Sequence, residues 1–147
     1  MRRYLLVLPF LIACSKAETP AADSAAAAMP PALTEADVAG TWTGTSTPEA
    51  PDTGTVNFTV TCGGGSCHLV AAPAPNDTVH STYVLAADSS VGTSTPYKDA
   101  QRGGAMVVDH WVARVTGNQV TGHGWTTLAD KPDSVVSRNR FTGTKNP

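Results

Sequence analysis

Between residues 41 and 144 the chain is cut at short intervals by turn-forming residues, and this punctuation limits what it can fold into. Strand-like runs lie near 41–46, 55–62, 67–72, 78–87, 90–95, 105–115, 119–128 and 134–144. The connectors carry Pro, Gly, Asp or Asn, as in "TPEAPDTG", "CGGGSC", "PAPND", "TGNQ" and "ADKPD". Thr, Val and Gly are plentiful here and Leu, Glu and Lys are scarce, so strand formers dominate. The pattern predicts an all-β domain, a single antiparallel up-and-down meander of about eight strands. It closes into a barrel-like unit or folds into a small sandwich. A domain over 34–147 is short for eight strands, so an open or six-stranded variant stays available. Alternation is clearest in "TVNFTVTC", where Val56, Phe58, Val60 and Cys62 face one way and Thr55, Asn57, Thr59 and Thr61 the other.

The start and end of the domain carry a further pattern. Thr34 followed by Asp37 is a capping-box pattern for one helical turn, which Gly40 stops. Gly40 and Trp42 then form a Gly-x-Trp entry into the first strand, and Arg138 and Arg140 lie on the last. Together these residues resemble the calycins, the lipocalins, avidins and their relatives. The resemblance implies a barrel in which Trp42 plugs the closed end. It also implies an arginine, Arg138 or Arg140, stacked across the indole, a contact worth about 0.5–2 kcal/mol. If Arg140 took that place, the alternating Phe141 would point outward.

Three cysteines are present. Cys62 and Cys67 flank the "GGGS" loop between two strand-like runs, a hairpin signal. One cysteine on each arm predicts a cross-hairpin disulfide in an oxidising compartment. A redox pair would show two intervening residues and a helix start, and a metal centre would need further cysteines.

The third cysteine, Cys14, closes "MRRYLLVLPFLIAC". Arg2 and Arg3 precede an uncharged run from Tyr4 to Ala13, well short of the roughly 20 residues that span a bilayer. That is the layout of a secretory signal. The Leu-Ile-Ala-Cys ending resembles the lipobox of bacterial lipoproteins. The resemblance implies cleavage after residue 13, a diacylglyceryl thioether on Cys14, and stable membrane attachment through several acyl chains. Ser15, with no Asp there, implies the outer membrane by the same resemblance, facing the periplasm. Residues 14–33, largely "SKAETPAADSAAAAMPPAL", hold little that could form a core and read as a flexible tether. A chain of that length spans on the order of 25 Å.

The whole chain carries 10 Lys+Arg against 12 Asp+Glu, and loss of Arg2 and Arg3 with the leader makes the balance 8 against 12, or −4. No basic patch stands out, so nucleic acid is not an expected partner. The expected partners are the membrane, through the anchor, and a small molecule or another envelope component.

The best-defined hairpin is "MVVDHWVARVTGNQVTGHGWTTL", turning at Gly117–Asn118. A two-residue turn pairs Thr116 with Gln119, Val112 with His123 and His110 with Trp125. His110, Val112, Arg114, Thr121, His123 and Trp125 then share one face. Trp111, Ala113, Val115, Val120, Gly122 and Gly124 share the other, with Trp111 lying over the two glycines. Were the first face to line a barrel lumen, Arg114 would supply charge, His110 and His123 hydrogen bonds, and Trp125 a stacking plane. On the outside it would be an ordinary mixed sheet face. His110 and His123, as diagonal neighbours about 7–8 Å apart, are too far apart for a shared metal. His68, His80 and Asp109 are not clearly placed to help, so neither a metal site nor a cofactor is expected.

Catalytic signatures are sparse. There is no Gly-x-Ser-x-Gly elbow, no His-Glu-x-x-His and no phosphate-binding glycine loop leading into a helix. The long connector "STPYKDAQRGG", with Tyr97, Lys98 and Arg102, is a lid, a partner loop or a plain link. The sequence therefore favours a lipid-anchored envelope module that binds a small ligand or envelope component and has no catalytic role. An accessory lipoprotein with a filled core is the alternative, and an envelope enzyme the third.

Overall fold

The computed structural model describes residues 31–50, 54–72 and 78–147. Cys14, the leader expected over 1–13 and the tether expected from residue 14, as far as residue 30, lie outside the described residues. Among the described residues one helical turn, α1 (Glu35–Val38), precedes nine strands: β1 (Gly40–Pro48), β2 (Val56–Gly63), β3 (Ser66–Ala72), β4 (Val79–Ala86), β5 (Ser89–Ser94), β6 (Tyr97–Asp99), β7 (Ala105–Thr116), β8 (Gln119–Leu128) and β9 (Lys131–Lys145). Each strand pairs antiparallel with its neighbours, in the order β5-β4-β3-β2-β1-β9-β8-β7-β6. A further pairing of β5 with β7, from Ser90 opposite Ala113 to Thr93 opposite His110, closes eight of them into a barrel. Closure removes the exposed sheet edges that an open meander would leave. The ninth strand, β6, falls inside the long connector read from sequence as a lid, a partner loop or a plain link. It pairs with the start of β7 and leads into a 3-10 turn over Ala100–Arg102.

The alternation in β2 holds, with Val56, Phe58, Val60 and Cys62 more buried than Asn57, Thr59 and Thr61 between them. Cys62 and Cys67 stand directly opposite each other and form a disulfide. The β7–β8 hairpin has the expected register, with Thr116 opposite Gln119, Val112 opposite His123 and His110 opposite Trp125.

α1 closes one end of the barrel. Its first turn is held by the Asp37 carboxylate, which accepts from the Thr34 amide at 2.8 Å and the Thr34 hydroxyl at 2.6 Å. Those bonds hold the exposed Asp37 carboxyl below its usual range. The indole of Trp42, only 3% exposed, donates from Nε1 to the Val38 carbonyl at 2.9 Å. Val38 packs with Cys67 and Tyr83, backed by Leu33, Val60, Cys62, Trp111 and Val115. Glu35 ties the turn to the sheet by accepting from the Gly64 amide at 2.7 Å and the Tyr83 hydroxyl at 2.6 Å.

The cation over Trp42 is not an arginine. Arg138 and Arg140 stand opposite Trp125 and His123 on the outward alternation of β9, and Arg140 pairs with Glu49 at 3.2 Å. Phe141 takes the inward position and packs on the Trp42 cluster. Lys145, directly opposite Trp42, covers its ring instead, with Nζ 5.4 Å from the centroid. Gly40 makes room for this. Its φ is +127°, and a Cβ there would lie 2.7 Å from Lys145 Cε.

Candidate functional site

The loop-bearing end, opposite α1, is where β1–β2, β3–β4, β5–β7 and β8–β9 are joined. Between the two ends the barrel encloses a cavity of about 150 Å³. Its wall is mostly apolar, with Trp42, Phe58, Leu69, Trp111, Trp125 and Phe141 as the large members. Two glycines let the rings lie flat against the wall. The Trp111 ring occupies the space a Cβ on Gly92 would need, and the Phe141 ring does the same over Gly122. Trp111 thus lies over Gly92 of β5 and not over Gly122 and Gly124 of its own hairpin. Gly124 instead faces Asn139, whose Oδ1 is 2.6 Å from the position of a Cβ there.

Polar groups interrupt this wall at Ser46, Ser81, Ser90, Asp109, Thr126 and Asn139. Asp109 is well satisfied. It accepts from the Tyr97 hydroxyl at 2.7 Å and from the Thr126 hydroxyl at 2.6 Å, while its own amide donates to Ser94 Oγ at 2.9 Å. Burial, then the Asp109 charge and hydrogen bond, push the Tyr97 hydroxyl well above the ordinary tyrosine range. Tyr97 is therefore a neutral donor at physiological pH, fixed across the top of β7. Asn139 donates from Nδ2 to Ser46 Oγ at 2.8 Å, but its Oδ1 is buried and, among the described residues, without a partner. Ser90 Oγ, on a residue only 1% exposed, is likewise unpartnered. Buried polar groups are nearly always paired, so two lone ones in one cavity wall are chemically informative.

The residues singled out from sequence are divided by the barrel wall. Arg114 and His123 point to solvent, and Arg114 pairs with Asp88 at 3.2 Å with its side chain 69% exposed. His110 and Trp125 follow the same alternation yet contribute to the cavity wall. Outside, Trp125 stacks against His110 at 5.3 Å and His123 at 6.2 Å between ring centroids. The four do not converge on the lumen as a charged binding set. The lumen belongs to the opposite face, read from sequence as packing. Asp109 and Asn139 were missed there, although each is a polar residue in register with inward Trp111 and Phe141. That break in an apolar alternation is the sequence signal that marks them.

No protein-family model, curated protein or solved structure matches this chain. The chemistry of the cavity therefore has to carry the functional reading.

Proposed function

We propose that this domain is a calycin-like ligand-binding barrel, carried on the bacterial envelope by a lipid on Cys14, and that its ligand is a small apolar molecule with a donor group. The observation that supports this most is the pair of unpartnered acceptors, Asn139 Oδ1 and Ser90 Oγ, in the wall of an otherwise apolar cavity of about 150 Å³. A cavity of that size takes a benzene-sized body. Leaving each polar atom unpaired costs about 1–3 kcal/mol, which a ligand hydroxyl, amine or amide would recover. Asp109 adds further acceptor capacity, since an ionised carboxylate offers about four lone-pair sites and two are in use. The cavity also speaks against the alternative of an accessory lipoprotein with a filled core. The reading is one of binding, without a catalytic step, and it leaves an envelope partner to the outer face.

Toluene and benzyl alcohol test the lumen. Trp42 and Trp111 line it, so tryptophan fluorescence reports occupancy. Both probes should bind saturably, benzyl alcohol more tightly, and Asn139→Leu should narrow the difference. Absence of saturable binding by either would overturn the reading. The anchor is tested separately: Cys14→Ser should move the chain from the membrane fraction to the soluble fraction.

A further inference from the structure

On the outer surface, away from the lumen, His68 of β3 and His80 of β4 stand directly opposite each other. Both are exposed. Their Nδ1 atoms converge to 2.7 Å, and the rings meet edge to face with centroids 4.7 Å apart. In this arrangement one ring's Nδ1–H donates to the bare Nδ1 of the other, so a single proton is held between two imidazoles.

We propose that His68 and His80 form a two-nitrogen site for a divalent transition metal, copper(II) above all. Imidazole nitrogens bind such ions at about 2.0–2.1 Å. Two nitrogens in adjacent positions around one ion are then about 2.9–3.4 Å apart. The observed spacing is a few tenths of an ångström short of that bite, a change within reach of side-chain rotation. Binding replaces the shared proton by the metal, with both Nδ1 lone pairs aimed at it.

The backbone beneath is rigid enough to hold the geometry in advance. Cys67, next to His68, is tied to Cys62 on β2, and the His80 carbonyl accepts from the Thr95 amide at 2.8 Å. Pre-organisation of this kind lowers the ordering cost of binding. Among the described residues no third His, Cys, Asp or Glu joins the pair. The site is therefore open, with water or a ligand from another molecule completing the coordination. A closed structural zinc centre needs four protein ligands. For two imidazoles and water, the order of affinity among divalent ions peaks at copper(II). His110 and His123, on neighbouring strands but separated by the Trp125 ring, offer no such convergence.

Copper(II) chloride titrated into the full chain, followed by calorimetry and electron paramagnetic resonance, tests the assignment. One ion per chain with two-nitrogen superhyperfine structure is expected. His68→Ala and His80→Ala should each weaken binding by at least about tenfold. His110→Ala and His123→Ala should leave it unchanged. The same ion should raise the melting temperature of the wild type and of His110→Ala but not of a His68→Ala/His80→Ala double variant, which guards against a folding defect. Equal copper affinity in His68→Ala and the wild type, or loss of binding in His110→Ala alone, would overturn the proposal.

Discussion

Lys145 of β9 stands directly opposite Trp42 of β1 and covers its indole at the α1 end of the barrel. The ammonium lies 5.4 Å from the indole centroid and donates to the Ala36 and Asp37 carbonyls at 3.1 and 3.3 Å. Last strand, first strand and capping helix thus meet at one side chain. Lys145→Ala should cost about 1 kcal/mol, from the cation–π contact and the lost hydrogen bonds. Arg138→Ala and Arg140→Ala should cost less than about 0.5 kcal/mol, as exposed surface residues do. Urea unfolding of the three variants decides it. A larger loss for Arg138→Ala than for Lys145→Ala would refute the assignment.

That correction shows where the sequence was legible. Turn residues, alternation and the Gly117–Asn118 turn settle hairpin register and the Cys62–Cys67 pair, because each depends on contacts local in the chain; they give the eight barrel strands but not the short β6. Which of two alternating faces lines the lumen depends on how the sheet curls, a property of the whole barrel. His110 and Trp111 are adjacent in sequence and carry similar local cues, so the hairpin alone does not rank their faces. Lys145 was missed for a simpler reason: the last strand runs one residue beyond the expected end at 144, and strand ends are weakly marked. Closure by β5 against β7 joins strands separated by β6, a pairing that no local pattern encodes.

The Ser90 hydroxyl pits function against stability. It is buried without a partner in the lumen wall. Ser90→Ala removes a desolvated polar atom and leaves only a small void, so it should stabilise the free protein by up to about 1 kcal/mol. The same change should weaken benzyl alcohol more than toluene. Calorimetric melting with and without each probe separates the two effects. A loss of 1 kcal/mol or more in the free protein would mean the hydroxyl is already satisfied.

The Glu35–Tyr83 hydrogen bond should shape stability at both ends of the pH scale. Burial and the Glu35 carboxylate raise Tyr83 to about 12. The unfolded chain therefore loses this proton near pH 10 while the fold still holds it, and stability falls as pH climbs from about 10 to 12. Glu35 is lowered from 4.5, chiefly by the Tyr83 hydroxyl, so its contribution is present above that value and fades as pH drops through the folded-state value. Tyr83→Phe should flatten part of the alkaline loss and lessen the acid loss. Tyr97, raised in the same direction, adds to the alkaline slope. Melting temperatures across pH 3–12 for the wild type, Tyr83→Phe and Tyr97→Phe provide the check, and an unchanged alkaline slope in Tyr83→Phe would contradict it.

The disulfide closes a turn that glycine leaves loose. Gly64 and Gly65 both have positive φ, at +60° and +75°, so the β2–β3 hairpin turns through conformations that glycine samples freely in the unfolded chain. Linking Cys62 to Cys67 restricts that ensemble, and for so short a loop the chain-entropy estimate is about 2 kcal/mol. The bond also lies under Val38 and beside Tyr83, so loss of the hairpin would loosen the α1 cap as well. Reduction, or Cys62→Ala with Cys67→Ala, should therefore lower stability by about 2 kcal/mol and raise hydrogen exchange first at the Gly64 amide, which donates to the Glu35 carboxylate. In the native protein, alkylation without reductant should leave both cysteines unmodified. Protection of the Gly64 amide that is indifferent to reductant would show the turn to be held by Glu35 and the strands alone.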